Sequence, residues 1–152
     1  MSLRPRLGPK ESRLWENWQE AHGGDYKNYN YDVRVEPQAL EFTKEGEPIL
    51  RNWEKLGSPR IDVCACSKTN MPVIFEVKPD ANFETIAQVI AYKEFMRLFG
   101  RLIGQPEMVI VCRTMGNINE KLCQKYGIKV YKIPEKDKIE TLPLPLTETE
   151  KT

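Results

Sequence analysis

The fold is decided by residues 60–78, which read RIDVCACSKTNMPVIFEVK. Residues 60–66 and residues 72–78 are each rich in apolar and β-branched side chains, so each is predicted to form a strand. The polar residues between them, 67–71, are typical of a tight turn. These residues therefore predict a β-hairpin whose two strands both end in charged side chains.

The hairpin predicts a cluster of charge at one end. Because side chains alternate between the faces of a strand, Glu76 and Lys78 share a face. If the strands pair through the turn, Asp62 lies near Glu76, and the two carboxylates with the backbone carbonyl of Val77 can bind Mg²⁺. Without a cation the like charges require raised pKa values. Lys78 can orient a water or neutralise charge on a phosphate, so the pattern is typical of a metal-dependent phosphodiester hydrolase.

The rest of the chain predicts helices that flank further strands. In order, we expect a helix over 9–22, a polar connector over 25–30, strands over 31–35 and, with an irregular arm as the alternative, 38–42, a long excursion over 43–59, the hairpin, a helix over 83–99, a strand over 107–112, a helix over 117–126 and a strand over 128–133. Leu14, Trp15 and Trp18 should face inward. The alternation of helix and strand after residue 78 predicts parallel pairing there. The fold class is therefore α/β, a mixed sheet flanked by helices.

Composition restricts the class of protein. The chain has 152 residues, of which 40% are hydrophobic and 30% charged, as in one soluble domain. We expect this domain over 1–133 and a charged, proline-containing tail over 134–152. The apolar runs are too short to span a bilayer, and no apolar segment follows the basic N-terminus, so we expect an intracellular protein with no membrane partner. The four cysteines are interpreted as free thiols. The net charge of +1 neither favours nor excludes nucleic acid.

The hairpin motif resembles that of the PD-(D/E)XK nuclease superfamily. Asp62, followed by Glu76-Val77-Lys78 on the second strand and then by a helix, matches the motif for which the superfamily is named. Gln88 and Tyr92 on that helix resemble the Q-x-x-x-Y element of RecB-like members. Glu11, in the first helix, lies where many members place another acidic residue.

The resemblance covers roughly residues 9–133 and has one departure. Glu76-Val77-Lys78-Pro79 is similar to the TnsA-like transposon endonucleases, and the general layout is similar to that of junction resolvases. Pro59 lies three residues before Asp62 instead of directly before it. The implied fold is an αβββαβ restriction-endonuclease-like core.

The resemblance implies a deoxyribonuclease that uses Mg²⁺ or Mn²⁺ and acts on DNA. Its implied catalytic residues are Asp62, Glu76, Lys78, Gln88 and Tyr92, and its implied metal-binding residues are Asp62, Glu76, Val77 and Glu11. Because an acidic residue in a first helical turn is also favoured by the helix dipole, the role of Glu11 stays open. We expect Gln88 to be buried and to hydrogen-bond Lys78 or a DNA phosphate.

Several alternatives stay open. The same fold can serve as a non-catalytic subunit that binds DNA or a protein partner in a recombination or transposition complex. The sequence does not distinguish DNA from RNA, or endonuclease from exonuclease activity, and it leaves open a homodimer. Candidate phosphate contacts are Lys27, Arg34, Lys44, Arg51, Lys55, Arg60, Lys68, Arg97 and Arg101.

Overall fold

The computed structural model describes residues 7–34, 60–99 and 105–135. Three α-helices lie in these ranges: α1 (Pro9–His22), α2 (Phe83–Phe99) and α3 (Asn117–Lys125). A single 3-10 turn, Gly23–Asp25, follows α1. The strands are β1 (Tyr26–Arg34), β2 (Arg60–Ser67), β3 (Pro72–Val77), β4 (Asp80–Ala81), β5 (Glu107–Cys112), β6 (Thr114–Met115) and β7 (Ile128–Lys132). None of the helices in the described ranges has the length and apolar character needed to cross a bilayer.

The main sheet has five strands in the order β1-β2-β3-β5-β7. The β1–β2 and β2–β3 pairs are antiparallel, whereas β3–β5 and β5–β7 are parallel. The short strands β4 and β6 form a separate parallel pair. The predicted mixed α/β sheet flanked by helices, and the parallel pairing after residue 78, are therefore confirmed.

Helix α1 covers one face of the sheet with aromatic side chains. Trp15 and Trp18 are buried and stack with ring centroids 4.8 Å apart. Both rings meet the edge of Phe75 from β3, at 5.3 and 5.1 Å. The expected inward face of α1 is confirmed, and it fixes the helix over the strand that carries Glu76.

Helices α2 and α3 cover the opposite face. The side chain of Asn82 caps α2 by accepting a hydrogen bond from the Thr85 backbone N–H at 3.1 Å, the favoured arrangement at a helix N-terminus. The core on this face includes the buried side chains of Cys112 and Cys123. All four cysteines of the chain are free thiols. The core here also contains Ile86, Val89, Met108, Ile110 and Ile128.

The predicted polar connector over 25–30 is wrong, because β1 already begins at Tyr26. Asn28 and Asp32 have positive φ angles of 58° and 56°, which asparagine and aspartate tolerate better than most residues. The pairing with β2 shifts register between Lys27 and Asn30. These irregularities hide the period of two from which a strand is recognised. The predictions for 38–42 and 43–59 and most of the tail lie outside the described residues.

Candidate active site

The β2–β3 hairpin brings the two predicted carboxylates together. Val63 pairs with Phe75, and Cys64 pairs with Ile74. Continuing that antiparallel register by one residue sets Asp62 opposite Glu76. The expected pairing of the two strands is thus confirmed, and both carboxyl groups lie on the face of the sheet that α2 covers.

The turn that closes the hairpin fixes this register. The Ser67 backbone N–H donates to the Met71 carbonyl at 2.8 Å, and the Asn70 N–H donates to the Ser67 carbonyl at 2.9 Å. Asn70 has a φ angle of 69°, the left-handed conformation that asparagine adopts in turns. Because a shift of one residue would move every side chain to the other face, this turn decides whether Asp62 meets Glu76.

Glu76 is the most buried charged group in the described part of the chain, with 5% of its surface exposed. Its Oε1 atom is buried and has no hydrogen-bond partner among the described residues. Burial, followed by the nearby charge of Asp62, raises the pKa of Glu76 to about 8, while Lys78 acts in the opposite direction. One oxygen of the Glu76 carboxyl group therefore lacks a hydrogen bond among the described residues, and Lys78 is the group that favours its charged form.

Asp62 is half-buried beside it. Burial raises the pKa of Asp62 to about 6, although a hydrogen bond from the Val77 backbone N–H and the charge of Lys78 both lower it. The charges of Glu11 and Asp32 raise it further. The raised pKa of Asp62 therefore comes first from burial, and the negative charges of Glu11 and Asp32 add to it.

Lys78 is positioned by its backbone, while its side chain is exposed. Its N–H donates to the Val111 carbonyl at 2.9 Å. The carbonyl of the next residue, Pro79, accepts hydrogen bonds from the Arg113 and Thr114 N–H groups at 2.8 and 3.0 Å. Lys78 is thereby held at the point where β3 ends, and its ammonium group lowers the pKa of both carboxyl groups.

The two residues predicted on α2 differ in position. Tyr92 is half-buried and packs against Ile61 and Ile74. Burial raises its pKa, and the charges of Glu76 and Asp62 add to that effect, so its hydroxyl lies within electrostatic reach of the site. Gln88 is exposed, so the expectation that it is buried is wrong.

The residues present fit a divalent cation in part. Two carboxyl groups that face each other, one with an unpartnered oxygen, are the hard oxygen ligands that Mg²⁺ takes, with waters at its other positions. Glu11 affects the pKa of Asp62. However, no group of three or more His, Cys, Asp or Glu side chains arranged for a metal occurs in residues 7–34, 60–99 and 105–135. Asp62 and Glu76 would therefore carry the site, and the Val77 carbonyl and Glu11 stay predictions.

The sequence did not reveal two further groups near the site. Asp32 acts on the pKa of Asp62 and pairs with Arg60 at 2.8 Å, so Arg60 is engaged within the protein. Arg113 lies beside the Lys78–Pro79 segment and donates to the Ile133 carbonyl. The only hint of Asp32 in the sequence was its position in an alternating segment.

Solved structures share this fold at low sequence identity. A repair endonuclease from Pyrococcus abyssi aligns with a TM-score of 0.52 and 15% identity, over 84% of this chain and 48% of that one. EndoMS in its apo form aligns with a TM-score of 0.53 and 14% identity, over 85% of this chain and 48% of that one. The chain spans about half the length of both structures. No protein-family model and no curated protein sequence matches it. At such identities the likeness establishes the fold alone.

Proposed function

We propose that the chain is a metal-dependent deoxyribonuclease of the PD-(D/E)XK type. The observation that carries this proposal is the pairing of the buried Glu76, whose Oε1 has no partner among the described residues, with Asp62 across the hairpin. A hydrophobic side chain would be more favourable at such a position, because an unpaired buried carboxyl group costs free energy. The fold shared with a repair endonuclease from Pyrococcus abyssi supports the same class of activity.

Each residue has a distinct role in this proposal. Asp62 and Glu76 hold Mg²⁺ or Mn²⁺, with the Val77 carbonyl as a further ligand and Glu11 as a candidate. A cation held by these groups would supply Lewis-acid chemistry for the hydrolysis of a phosphodiester. Lys78 orients the attacking water or stabilises the negative charge of the transition state.

Two residues of α2 complete the proposed site. Tyr92 contributes its hydroxyl at the edge of the carboxylate pair. Gln88, being exposed, is suited to contact a DNA strand and not to hold Lys78 from within the core.

The test is a cleavage assay with Mg²⁺ and Mn²⁺ on single-stranded, duplex, nicked, flap and four-way-junction DNA, with RNA alongside. We expect metal-dependent cleavage that Asp62→Asn and Lys78→Ala abolish. Lys125→Ala, which removes an exposed lysine from α3, is the matched control and should cleave like the wild type. If Lys78→Ala cleaves as fast as the wild type, the proposal is wrong.

Metal binding gives a readout that does not require activity. A cation that binds only the folded protein raises its melting temperature, and the rise grows with metal concentration. We expect Mn²⁺ to raise the melting temperature of the wild type and to have a smaller effect on Glu76→Gln. An equal rise in both proteins would contradict the assignment of Glu76 as a ligand.

A non-catalytic binding subunit is the alternative. It is favoured by the lack of a third acidic or other candidate ligand grouped with Asp62 and Glu76 in the described ranges. This alternative predicts DNA or protein binding without cleavage and without any metal-dependent rise in melting temperature.

A further inference from the structure

A cleft of about 420 Å³ lies between the start of α1 and the strand ends that follow Lys78. Cationic side chains on both of its walls, namely Lys10 and Arg13 from α1 and Arg113 after β5, line it together with Pro79 and Thr114. Asp80 and Glu135 also line it, and Asp80 accepts a hydrogen bond from the Thr114 hydroxyl at 2.7 Å. Two lining residues are chain neighbours of predicted site residues, because Pro79 directly follows Lys78 and Lys10 directly precedes Glu11.

Arg113 is held by neutral groups. Its Nη1 donates to the carbonyls of Ile133 and Pro134 at 3.2 and 2.6 Å, and its Nη2 donates to the Asn17 side-chain oxygen at 3.2 Å. Among the described residues none of these acceptors is charged, so the positive charge is fixed in place without being neutralised by them. A guanidinium group has five N–H donors, and three of them bond within the described residues, which leaves two without a partner there.

Helix α1 turns one face toward this arginine. Residues three and four apart share a helix face, so Lys10, Arg13 and Asn17 lie along one side. Asn17 contacts Arg113, so the side that carries Lys10 faces the cleft, whereas Leu14 and Trp18 face the sheet. Lys10 is exposed and extends the positive charge toward the outer end of the cleft.

We propose that this cleft binds a backbone phosphate of the nucleic-acid strand that is cut, with Arg113 as the positioning residue and Lys10 as a second charged contact. The inference rests on the proposed nuclease function and adds the path of the substrate. A planar guanidinium group with free donors suits a phosphate, which it can bind through two parallel hydrogen bonds. A strand held here would run past Lys78 toward the carboxylate pair.

The test measures DNA affinity without cleavage. A short fluorescein-labelled duplex and its single strand are titrated by fluorescence anisotropy with Ca²⁺ in place of Mg²⁺, over a range of salt concentrations. Losing one phosphate contact should lower the slope of log affinity against log salt by about 0.9 for a duplex and about 0.7 for a single strand, which is roughly an eightfold loss of duplex affinity at about 0.1 M salt. We expect this from Lys10→Gln, with the slope restored by Lys10→Arg.

Further variants separate a structural role from a contact. Arg113→Lys keeps the positive charge but cannot form two parallel hydrogen bonds to a phosphate. It should therefore lower DNA affinity, while changing the slope of log affinity against log salt less than Arg113→Gln does. If Arg113→Gln does not fold, the Lys10 pair decides the result. Lys125→Gln, an exposed lysine on α3 across the sheet, is the control and should bind like the wild type.

The outcomes of the two proposals are distinguishable. Unchanged affinity and slope in Lys10→Gln and Arg113→Lys overturn the cleft proposal, even if metal-dependent cleavage establishes the nuclease. A changed slope without any cleavage supports the cleft and contradicts the nuclease. A final experiment measures the melting temperature with added inorganic phosphate at matched ionic strength. If phosphate raises the melting temperature of the wild type while Lys10→Gln leaves DNA affinity unchanged, the cleft binds a small anion and the proposal is wrong.

Discussion

Replacing Glu76 with glutamine should change how the stability of the metal-free protein depends on pH. Glu76 is 5% exposed, and burial with the charge of Asp62 raises its pKa from 4.5 to about 8. Between these two pH values the folded protein keeps a proton that the unfolded chain has lost. The stability that this bound proton contributes is therefore present at acidic pH. It is lost as the pH rises toward and through the pKa of Glu76 in the folded protein.

The size of the effect follows from the difference of one proton. The free energy of unfolding falls by up to about 1.4 kcal/mol for each pH unit in this window, or about 2.7 kcal/mol from about pH 5 to about pH 7. Glutamine has nearly the same shape and does not ionise, so Glu76→Gln should lose most of this slope. Asp62, whose pKa is also raised, leaves a smaller slope in both proteins.

The assay is urea unfolding in EDTA at several pH values, followed by tryptophan fluorescence, since Trp15 and Trp18 are in the core. Glu84→Gln removes an exposed carboxyl group from the first turn of α2 and controls for the loss of one charge. If Glu76→Gln and the wild type lose stability equally between pH 5 and pH 7, Glu76 is not held protonated and the reasoning fails. Added Mg²⁺ should flatten the wild-type slope, because a bound cation requires the ionised carboxylates.

Three further predictions concern the scaffold, and each is measured by urea unfolding at neutral pH. Trp18→Ala should lower the free energy of unfolding by about 3–5 kcal/mol, because it empties a fully buried site where Trp18 stacks on Trp15. A loss of less than about 0.5 kcal/mol, which is typical of a surface substitution, would contradict this packing. Gly127→Ala should cost about 1–2 kcal/mol through backbone strain alone, because its φ is 70° and an added Cβ meets nothing within 4 Å; an unchanged midpoint would show that the turn relaxes. Asn82→Ala should cost about 1 kcal/mol by removing the cap of α2, and Asn82→Asp should retain most of that stability.

The sequence predicted the hairpin and its carboxylates because the interactions that form them are local. Asp62 and Glu76 are fourteen residues apart, and a turn with recognisable residues joins the strands. Alternation then determines the face of each side chain. The inward face of α1 was also predicted from the sequence, because Trp15 and Trp18 are three residues apart and therefore lie on the same face of a helix.

The predictions failed where several residues competed for one face or where partners were distant in the chain. On α2 the fully buried position belongs to Val89, which leaves its neighbour Gln88 at the surface. Arg113 could not be foreseen because Asn17, one of its acceptors, lies 96 residues earlier. β1 was shortened in prediction because the left-handed Asn28 breaks the alternation from which strands are recognised.

The hydrogen bond from the Lys78 backbone to Val111 has a consequence for the order of folding. The carboxylate pair belongs to a hairpin, which closes on the microsecond timescale. The lysine is held only after the chain has passed through α2 and β5 has joined β3, a non-local pairing that forms slowly. The acidic pair is therefore assembled early and its lysine late. A chain that extends only through α2 lacks β5, so the backbone of Lys78 has no Val111 carbonyl to bond, and its anchoring waits for the pairing of β3 with β5.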